Sequence, residues 1–369
     1  MTWNNYRINI RLGNIQYNQL EEIYSLISNI DAIKKSWYIS KKLSPRIIEK
    51  LTQSVIVTST GASNRIEGNR MSDQEVETLY KNLKIQKLKS RDEQEVAGYI
   101  KVLEYIFYDY NNIPVSESFI KQIHSIMLNY SEKDQSHKGN YKISSNRVEA
   151  KDNSGNIVGI VFEPTPPYLV NKEMQELIDW YSWSLENSKK HPLILIANFI
   201  FEFLAIHPFQ DGNCRASRLL TNLMLLRQDY NFTTLVSHEK IIENYKVDYY
   251  LALNKVQQSW KSSNEDITPW LIFFLKIVKE QADQAIKLLE TENIDYLLSE
   301  KQLAIWNYLL DNNIKEFSRK DIIKNLGFAE RTIESSIKKL VELKRLQRLG
   351  EGKASGKIKF EVQPLVNIL

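Results

Sequence analysis

The sequence predicts a mainly α-helical protein: a helical core carrying one small β-hairpin, then a C-terminal module of helices and a second hairpin. Three observations carry this. Pro192 to Ile206 is nearly all apolar and reads as a buried helix, and a short polar loop separates it from a leucine-rich helix, Arg215 to Gln228. Apolar residues recur at helical spacing through Glu95–Tyr108 and Glu117–Asn129. Composition shifts after Glu292, where three short amphipathic stretches precede a basic segment broken by Gly350, Gly352 and Gly356. The expected division is 1–94, a helical N-terminal region; 95–292, the core; and 293–369, the terminal module.

Composition narrows the class. Hydrophobic residues make up 43% and charged residues 25%, the balance of a soluble globular chain. A net charge of +4 is too small to imply a partner by itself. The single cysteine, Cys214, excludes an intrachain disulfide framework and fits a reducing compartment. The first residues lack the apolar core of a secretory signal. The longest apolar run contains Asn198 and Glu202 and falls short of the roughly 20 residues that span a bilayer. The expectation is a cytoplasmic protein with no membrane contact.

In chain order, residues 1 to 40 are mixed, with Trp37 and Tyr38 suited to a short helix. Ser44-Pro45 starts a helix through Leu51, Val55, Ile56 and Val57. It runs into the small-residue stretch Ser59–Asn69, where Gly68 suits a helix C-cap. His124, on the 117–129 helix, reads as structural. Val148–Lys151 and Ile157–Phe162 flank Asp152-Asn153-Ser154-Gly155-Asn156, an apolar pair of runs around a turn, hence a hairpin. Pro192 suits the first turn of its helix, and Pro208 cannot continue it. Ile241–Gln257 is tyrosine-rich, and Thr268-Pro269 starts a helix to about residue 291.

The chemistry gathers between the two apolar helices, in Ile206-His207-Pro208-Phe209-Gln210-Asp211-Gly212-Asn213-Cys214-Arg215-Ala216-Ser217-Arg218. Gly212 and Asn213 tolerate unusual backbone angles, so the loop turns tightly into a helix N-terminus. Free N–H groups there form an anion site. Arg215 and Arg218, three apart, share a face and suit phosphate oxygens. Asp211 is the usual kind of Mg²⁺ ligand beside a polyphosphate. His207 supplies a general base. A histidine at a helix end also serves as a cap or packed ring, and Asp-Gly-Asn as a plain turn. Together the residues describe a phosphoryl or nucleotidyl transfer site.

The loop closely resembles the signature of the Fic-domain family, His-Pro-Phe-x-(Asp/Glu)-Gly-Asn-Gly-Arg-x-x-Arg. It matches at His207, Pro208, Phe209, Asp211, Gly212, Asn213, Arg215 and Arg218, and departs at Cys214, where the family has glycine. The resemblance implies a Fic helical core whose hairpin is the flap, and transfer of AMP from ATP with Mg²⁺ to a Ser, Thr or Tyr hydroxyl of a target protein or of the chain itself. It implies His207 as base, Asp211 as metal ligand, and Gly212, Asn213, Cys214, Arg215 and Arg218 as the polyphosphate cradle. Tyr249-Tyr250-Leu251-Ala252-Leu253 resembles the segment that walls the family's adenine pocket, which marks Tyr250 as a nucleotide contact. Ser63-Asn64-Arg65-Ile66-Glu67-Gly68 is similar to the inhibitory motif (Ser/Thr)-x-x-x-Glu-(Gly/Asn), which implies that Glu67 pairs with Arg218 and obstructs ATP. The target protein is expected to dock on the 148–162 hairpin by strand pairing. Cys214 has two readings: a thiolate activated by the helix N-terminus and the arginines, or an inert buried thiol in the glycine's space.

In the terminal module, Ser299–Leu310, Ser318–Asn325 and Ala329–Leu343 read as helices, and Arg345–Glu361 as a hairpin. Together they resemble a winged helix. Its basic face would carry Arg331, Ser335, Lys338, Arg348, Lys353, Lys357 and Lys359, which suits DNA phosphates; protein docking is the other use of such a module. Three further classes stay open: a DNA-binding regulator whose Fic domain senses nucleotide, the reverse reaction that hydrolyses AMP from a target, and transfer of another phosphate-containing group. A homodimer is compatible with all of them.

Overall fold

The computed structural model describes residues 3, 6–39, 45–83, 87–146, 148–151, 157–292, 298–312, 314–349 and 359–362. The chain divides into two compact units, Met1–Ala285 and Ile286–Leu369. Segment 1–94 and the residues after it share one apolar core in the first unit.

The first unit begins with α1 (Arg7–Ile10), α2 (Tyr17–Ile39), α3 (Pro45–Ile66), α4 (Asp73–Asn82), α5 (Arg91–Asp109) and α6 (Glu117–Met127). The hairpin β1 (Val148–Lys151) and β2 (Ile157–Phe162) follows. Then come α7 (Pro167–Asn187), α8 (Pro192–Ile206), α9 (Asn213–Arg227), α10 (His238–Asn244), α11 (Lys246–Gln257) and α12 (Thr268–Glu292). Every residue of α8 from Leu193 to Ile206 is buried, as an all-round apolar helix must be. Almost all of α9 is buried too, and it packs between α8 and α5. The loop joining these central helices therefore lies at the end of the core.

Local chemistry sets several boundaries. Ser72–Glu75 and Ser90–Glu93 are reciprocal capping boxes that start α4 and α5. Pro192 begins α8 and His191 caps it. A Cβ on Gly98 would lie 1.8 Å from the Met127 carbonyl oxygen, so only glycine lets α5 and α6 touch. Arg11, buried with Glu202 and Glu265, and the adjacent Arg7 tie α1 to α8 and to the approach to α12.

The hairpin is antiparallel, pairing Val148 with Phe162 and Lys151 with Ile157, with two irregularities of register. Its turn, Asp152–Asn156, lies outside the described residues. The long helices α2 and α7 were not expected: α2 lies in a weakly periodic stretch, and α7 starts behind the hairpin with Pro166 as its N-cap and Pro167 at its first position. Among the described residues no helix is long and apolar enough to cross a membrane.

The second unit comprises α13 (Glu300–Asp311), β3 (Glu316–Ser318), α14 (Arg319–Leu326), α15 (Glu330–Glu342), β4 (Leu346–Leu349) and β5 (Lys359–Val362). The expected hairpin is joined by β3, giving an antiparallel sheet in the order β3-β5-β4. Trp306, Ile333, Ile337, Leu340 and Phe360 belong to its separate core. Arg319, Arg331, Lys338 and Arg348, with Glu334 and Ser335, line a concavity of about 450 Å³. Lys353 and Lys357 lie outside the described residues.

Candidate functional site

His207 ends α8 in the left-handed region, φ 52°, unusual for a residue with a Cβ. Its N–H donates to Phe203 O at 2.9 Å. Its Nδ1 lies 3.2 Å from Leu204 O; a carbonyl only accepts, so Nδ1 carries the proton and Nε2 keeps its lone pair. Burial pushes its pKa down to about 4, and the nearby positive charge of Lys142 adds to that push. The imidazole is neutral at pH 7 and can accept a proton at Nε2.

The loop is braced from both sides. Asn213 accepts from Phe209 N–H at 2.8 Å and donates to Phe209 O at 2.7 Å. Its amide oxygen is thus committed to the backbone, and Asn213 acts as the staple of the loop. Phe209 is fully buried and stacks on His124, with centroids 3.8 Å apart. His124 donates from Nε2 to Asp211 O at 3.0 Å and accepts at Nδ1 from Gly139 N–H at 2.9 Å. Gly212 has φ 78°, and a Cβ there would come 2.7 Å from the Met127 methyl.

A strap at 141–146 braces the other side, and the sequence reading missed it. Lys142 donates through its N–H to Pro208 O (2.8 Å) and through Nζ to Ile206 O (3.2 Å) and Asn146 Oδ1 (2.6 Å). Burial lowers its pKa to about 8. Asn146 Nδ2 donates to Phe209 O at 2.6 Å and His207 O at 3.3 Å. No regular pattern announces such an irregular segment. Asn146 lies two residues before β1, so the strap runs directly into the hairpin.

No side chain caps the N-terminus of α9. Arg215 is almost fully buried beside it, 3.6 Å from both Glu95 and Asp211, and its Nε and Nη1 have no hydrogen-bond partner among the described residues. Arg218 donates through Nε to Ser63 Oγ (2.8 Å), and through Nη2 to Ser63 O (2.9 Å) and Glu67 Oε1 (3.0 Å). The negative charge of Glu67 outweighs burial and raises the pKa of Arg218 above its already high ordinary value. Arg218 Nη1 also lacks a hydrogen-bond partner among the described residues. Unpaired guanidinium N–H groups beside an uncapped helix start fit a polyanion.

Asp211 is half-exposed, with Arg91 at 3.5 Å and Arg215 at 3.6 Å. Burial pushes its pKa up, but Arg215 and the Gly212 N–H outweigh that and hold the carboxyl below its usual range. Among the described residues no group of three or more His, Cys, Asp or Glu side chains could hold a metal ion. One ionised carboxylate beside an uncapped helix start and two arginines still fits Mg²⁺, which takes few protein ligands and completes its shell with ligand oxygens and water.

A cavity of about 450 Å³ opens at this point, lined by Leu204, His207, Cys214, Val247, Tyr250 and Asn254 among others. It brings Tyr250 into one space with the histidine and the helix start. Burial, with Glu67 adding to it, pushes the Cys214 thiol up to about 12. Cys214 is only partly buried and lines the cavity, and its raised pKa, from desolvation and the Glu67 carboxylate against the two arginines, runs against the activated-thiolate reading. Ser63 is buried, and Glu67, at the end of α3, is partly exposed.

Residues 114–225 match the model of the Fic/DOC family. Over 202 residues the chain is 27% identical to a protein from Aquifex aeolicus named a probable protein adenylyltransferase, the match covering 44% of this chain and 61% of that one. Over 226 residues it is 27% identical to the protein adenylyltransferase Fic of Nematostella vectensis, covering 60% of this chain and 46% of that one. The match thus spans under two thirds of either relative. Among solved structures, a Fic family protein from Desulfovibrio desulfuricans shares the fold over 93% of this chain and 96% of its own, with TM-score 0.61 at 20% identity. A Fic-domain signalling protein from Bacteroides thetaiotaomicron does so over 71% and 97%, with TM-score 0.58 at 22% identity. Residues 114–225 thus carry a Fic/DOC-type domain, and the fold around it is that of solved Fic proteins.

Proposed function

We propose that the chain is a protein adenylyltransferase, moving AMP from ATP to a hydroxyl of a protein, and that Glu67 restrains it. The observation that carries this is a neutral histidine with a free Nε2 in one cavity with an uncapped helix start flanked by two buried arginines. In this reading His207 Nε2 takes the proton from a Ser, Thr or Tyr hydroxyl. That oxygen bonds to the α-phosphorus of ATP as the bond to pyrophosphate breaks. The backbone N–H groups from Asn213 to Arg215, with Arg215, hold the polyphosphate. Asp211 would hold Mg²⁺, which supplies charge neutralisation at the phosphates when bound. The chain's contribution is positioning and electrostatics.

Arg218 belongs to the same cradle, but its Nη2 is shared with Glu67. A γ-phosphate would compete for that donor against a carboxylate already in place. The target segment would add to the β1–β2 hairpin by backbone pairing. Incubating the Glu67→Gly variant with α-labelled ATP and lysate tests the activity. Transfer of label to protein, abolished by His207→Ala, is expected; no transfer from ATP under any condition overturns the reading and favours hydrolytic AMP removal.

The second unit supports a separate proposal, a winged helix that contacts duplex DNA. The supporting observation is the gathering of Arg319, Arg331, Lys338 and Arg348 around one concave face. Arg319 is partly committed to Glu334, so the face is only moderately basic and would bind in a salt-dependent, weakly specific way.

A further inference from the structure

Arg218 is held by more than Glu67. Behind it lies a second carboxylate, Glu239, fully buried and without an ion-pair partner among the described residues. One link reaches only the backbone of Arg218, and a second reaches its guanidinium. Asn222 Nδ2 donates to Arg218 O at 3.2 Å and to Glu239 Oε1 at 2.6 Å. The second route passes through hydroxyls. Arg218 Nε donates to Ser63 Oγ, so the Ser63 proton must go elsewhere; it meets the Tyr99 hydroxyl. Tyr99 in turn donates to Glu239 Oε1 at 2.9 Å. Every member of this chain is buried: Ser63, Tyr99 and Glu239 at 0%, Asn222 at 1% and Arg218 at 2% exposure.

The direction of the chain is fixed at its end. A carboxylate only accepts, so Tyr99 points its proton at Glu239, its oxygen is free for Ser63, and the Ser63 oxygen is free for Arg218. Removing the terminal acceptor lets Tyr99 turn its proton toward Ser63. Ser63 then receives two donors and must redirect its own. The Arg218 side chain loses its defined seat while its charge remains. We propose that Glu239 is a positioning residue that seats the Arg218 guanidinium for nucleotide phosphate whether or not Glu67 is engaged. Arg218 then stands between an exchangeable carboxylate, Glu67, partly exposed at a helix end, and a permanent one, Glu239, in the core.

The inference rests on the proposed ATP site, and the experiment separates the two. In the full-length Glu67→Gly chain, KM for ATP and kcat are measured with Glu239→Ala, Glu239→Gln, Tyr99→Phe and Arg218→Ala. Glu239→Ala is expected to raise KM for ATP roughly ten-fold, the scale of a hydrogen bond to a charged group. Glu239→Gln keeps an oxygen that accepts from both Tyr99 and Asn222, so it should restore most of the affinity. Tyr99→Phe cuts the route to the guanidinium and should raise KM about as much as Glu239→Ala; it also keeps the test available if Glu239→Ala does not fold. Combined with Arg218→Ala, none of these changes should have a further effect on KM, because all act through that side chain. A purely structural role would lower the melting temperature and the active fraction while leaving KM unchanged. That pattern, with Arg218→Ala still raising KM, overturns the inference and leaves the site reading intact. If Arg218→Ala itself leaves KM unchanged, both fall.

Discussion

Replacing Glu67 with glycine should tighten ATP binding by an amount that follows from one contact. Glu67 Oε1 accepts from Arg218 Nη2 at 3.0 Å, with the arginine side chain 2% and the carboxylate 31% exposed. A hydrogen bond to a charged group is worth about 1.5–3 kcal/mol, and partial exposure of Glu67 favours the lower end through solvent screening. About 1.5 kcal/mol corresponds to roughly a ten-fold gain in ATP affinity, since the nucleotide no longer competes for that N–H. Stability should fall by about 1 kcal/mol, because a buried guanidinium keeps only neutral partners. Glu67→Gln, which retains an acceptor without the charge, should lie between. Titration calorimetry gives the affinities, and label incorporation the matching activity. Adding Arg218→Ala to Glu67→Gly should cancel the gain. Indistinguishable affinity in the wild-type and Glu67→Gly chains, with Arg218→Ala weakening both, would refute the competition argument.

Further expectations follow from the same geometry. His207→Ala should abolish transfer in the Glu67→Gly chain while ATP binding persists, because the imidazole is not placed on the polyphosphate cradle; calorimetry beside the labelling assay checks this. With its pKa near 4, His207 should keep its base function down to mildly acidic pH, so the acid limb of kcat should appear below about pH 5 rather than near 6.5. Burial also lowers His124 to about 4. The unfolded chain takes up that proton first, so the stability it lends is present above pH 6.5 and is lost as pH falls from 6.5 toward 4, by up to about 3 kcal/mol; denaturant melts across that window test it. Cys214→Gly should change ATP affinity by only a few-fold, since the residue has an ordinary helical φ and a neutral thiol, and should cost about 0.5–1 kcal/mol of stability; the wild-type thiol should resist alkylation at pH 8. The full-length chain should shift duplex DNA at low salt and release it as salt rises; absence of any shift at low salt would refute the nucleic-acid reading of the second unit.

The sequence was most informative where backbone chemistry and side-chain chemistry coincide. Pro192, Pro208 and Gly212 each impose a conformation, so the helix, its end and the turn after it were readable residue by residue. The hairpin strands were placed at Val148–Lys151 and Ile157–Phe162 because apolar runs flanked an unmistakable turn sequence. The weakly amphipathic α2 escaped notice because tertiary packing, not propensity, defines it. The grouping around Arg218 was only half visible. The spacing of Ser63 and Glu67 suggested a pair on one helix face, but Tyr99, Asn222 and Glu239 come from three other helices, and no local pattern connects them.

His207 occupies a left-handed turn, φ 52°, against its intrinsic preference. That conformation costs a non-glycine residue about 1–3 kcal/mol, and a glycine would relieve it at once. A glycine would also remove the imidazole, so the surroundings must hold the turn instead. They do so almost wholly through carbonyl groups. Ile206 O and Pro208 O accept from Lys142, His207 O and Phe209 O from Asn146, Phe209 O again from Asn213, and Asp211 O from His124. Each such bond contributes about 0.5–1.5 kcal/mol net, so three or four offset the strain. These bonds fix the backbone from which the imidazole projects, and the ring itself is held by Nδ1 donating to Leu204 O. Two of the donors, Lys142 and Asn146, stand just before β1. The histidine is therefore anchored to the chain segment that leads into the proposed target-docking hairpin, as well as to its own helix.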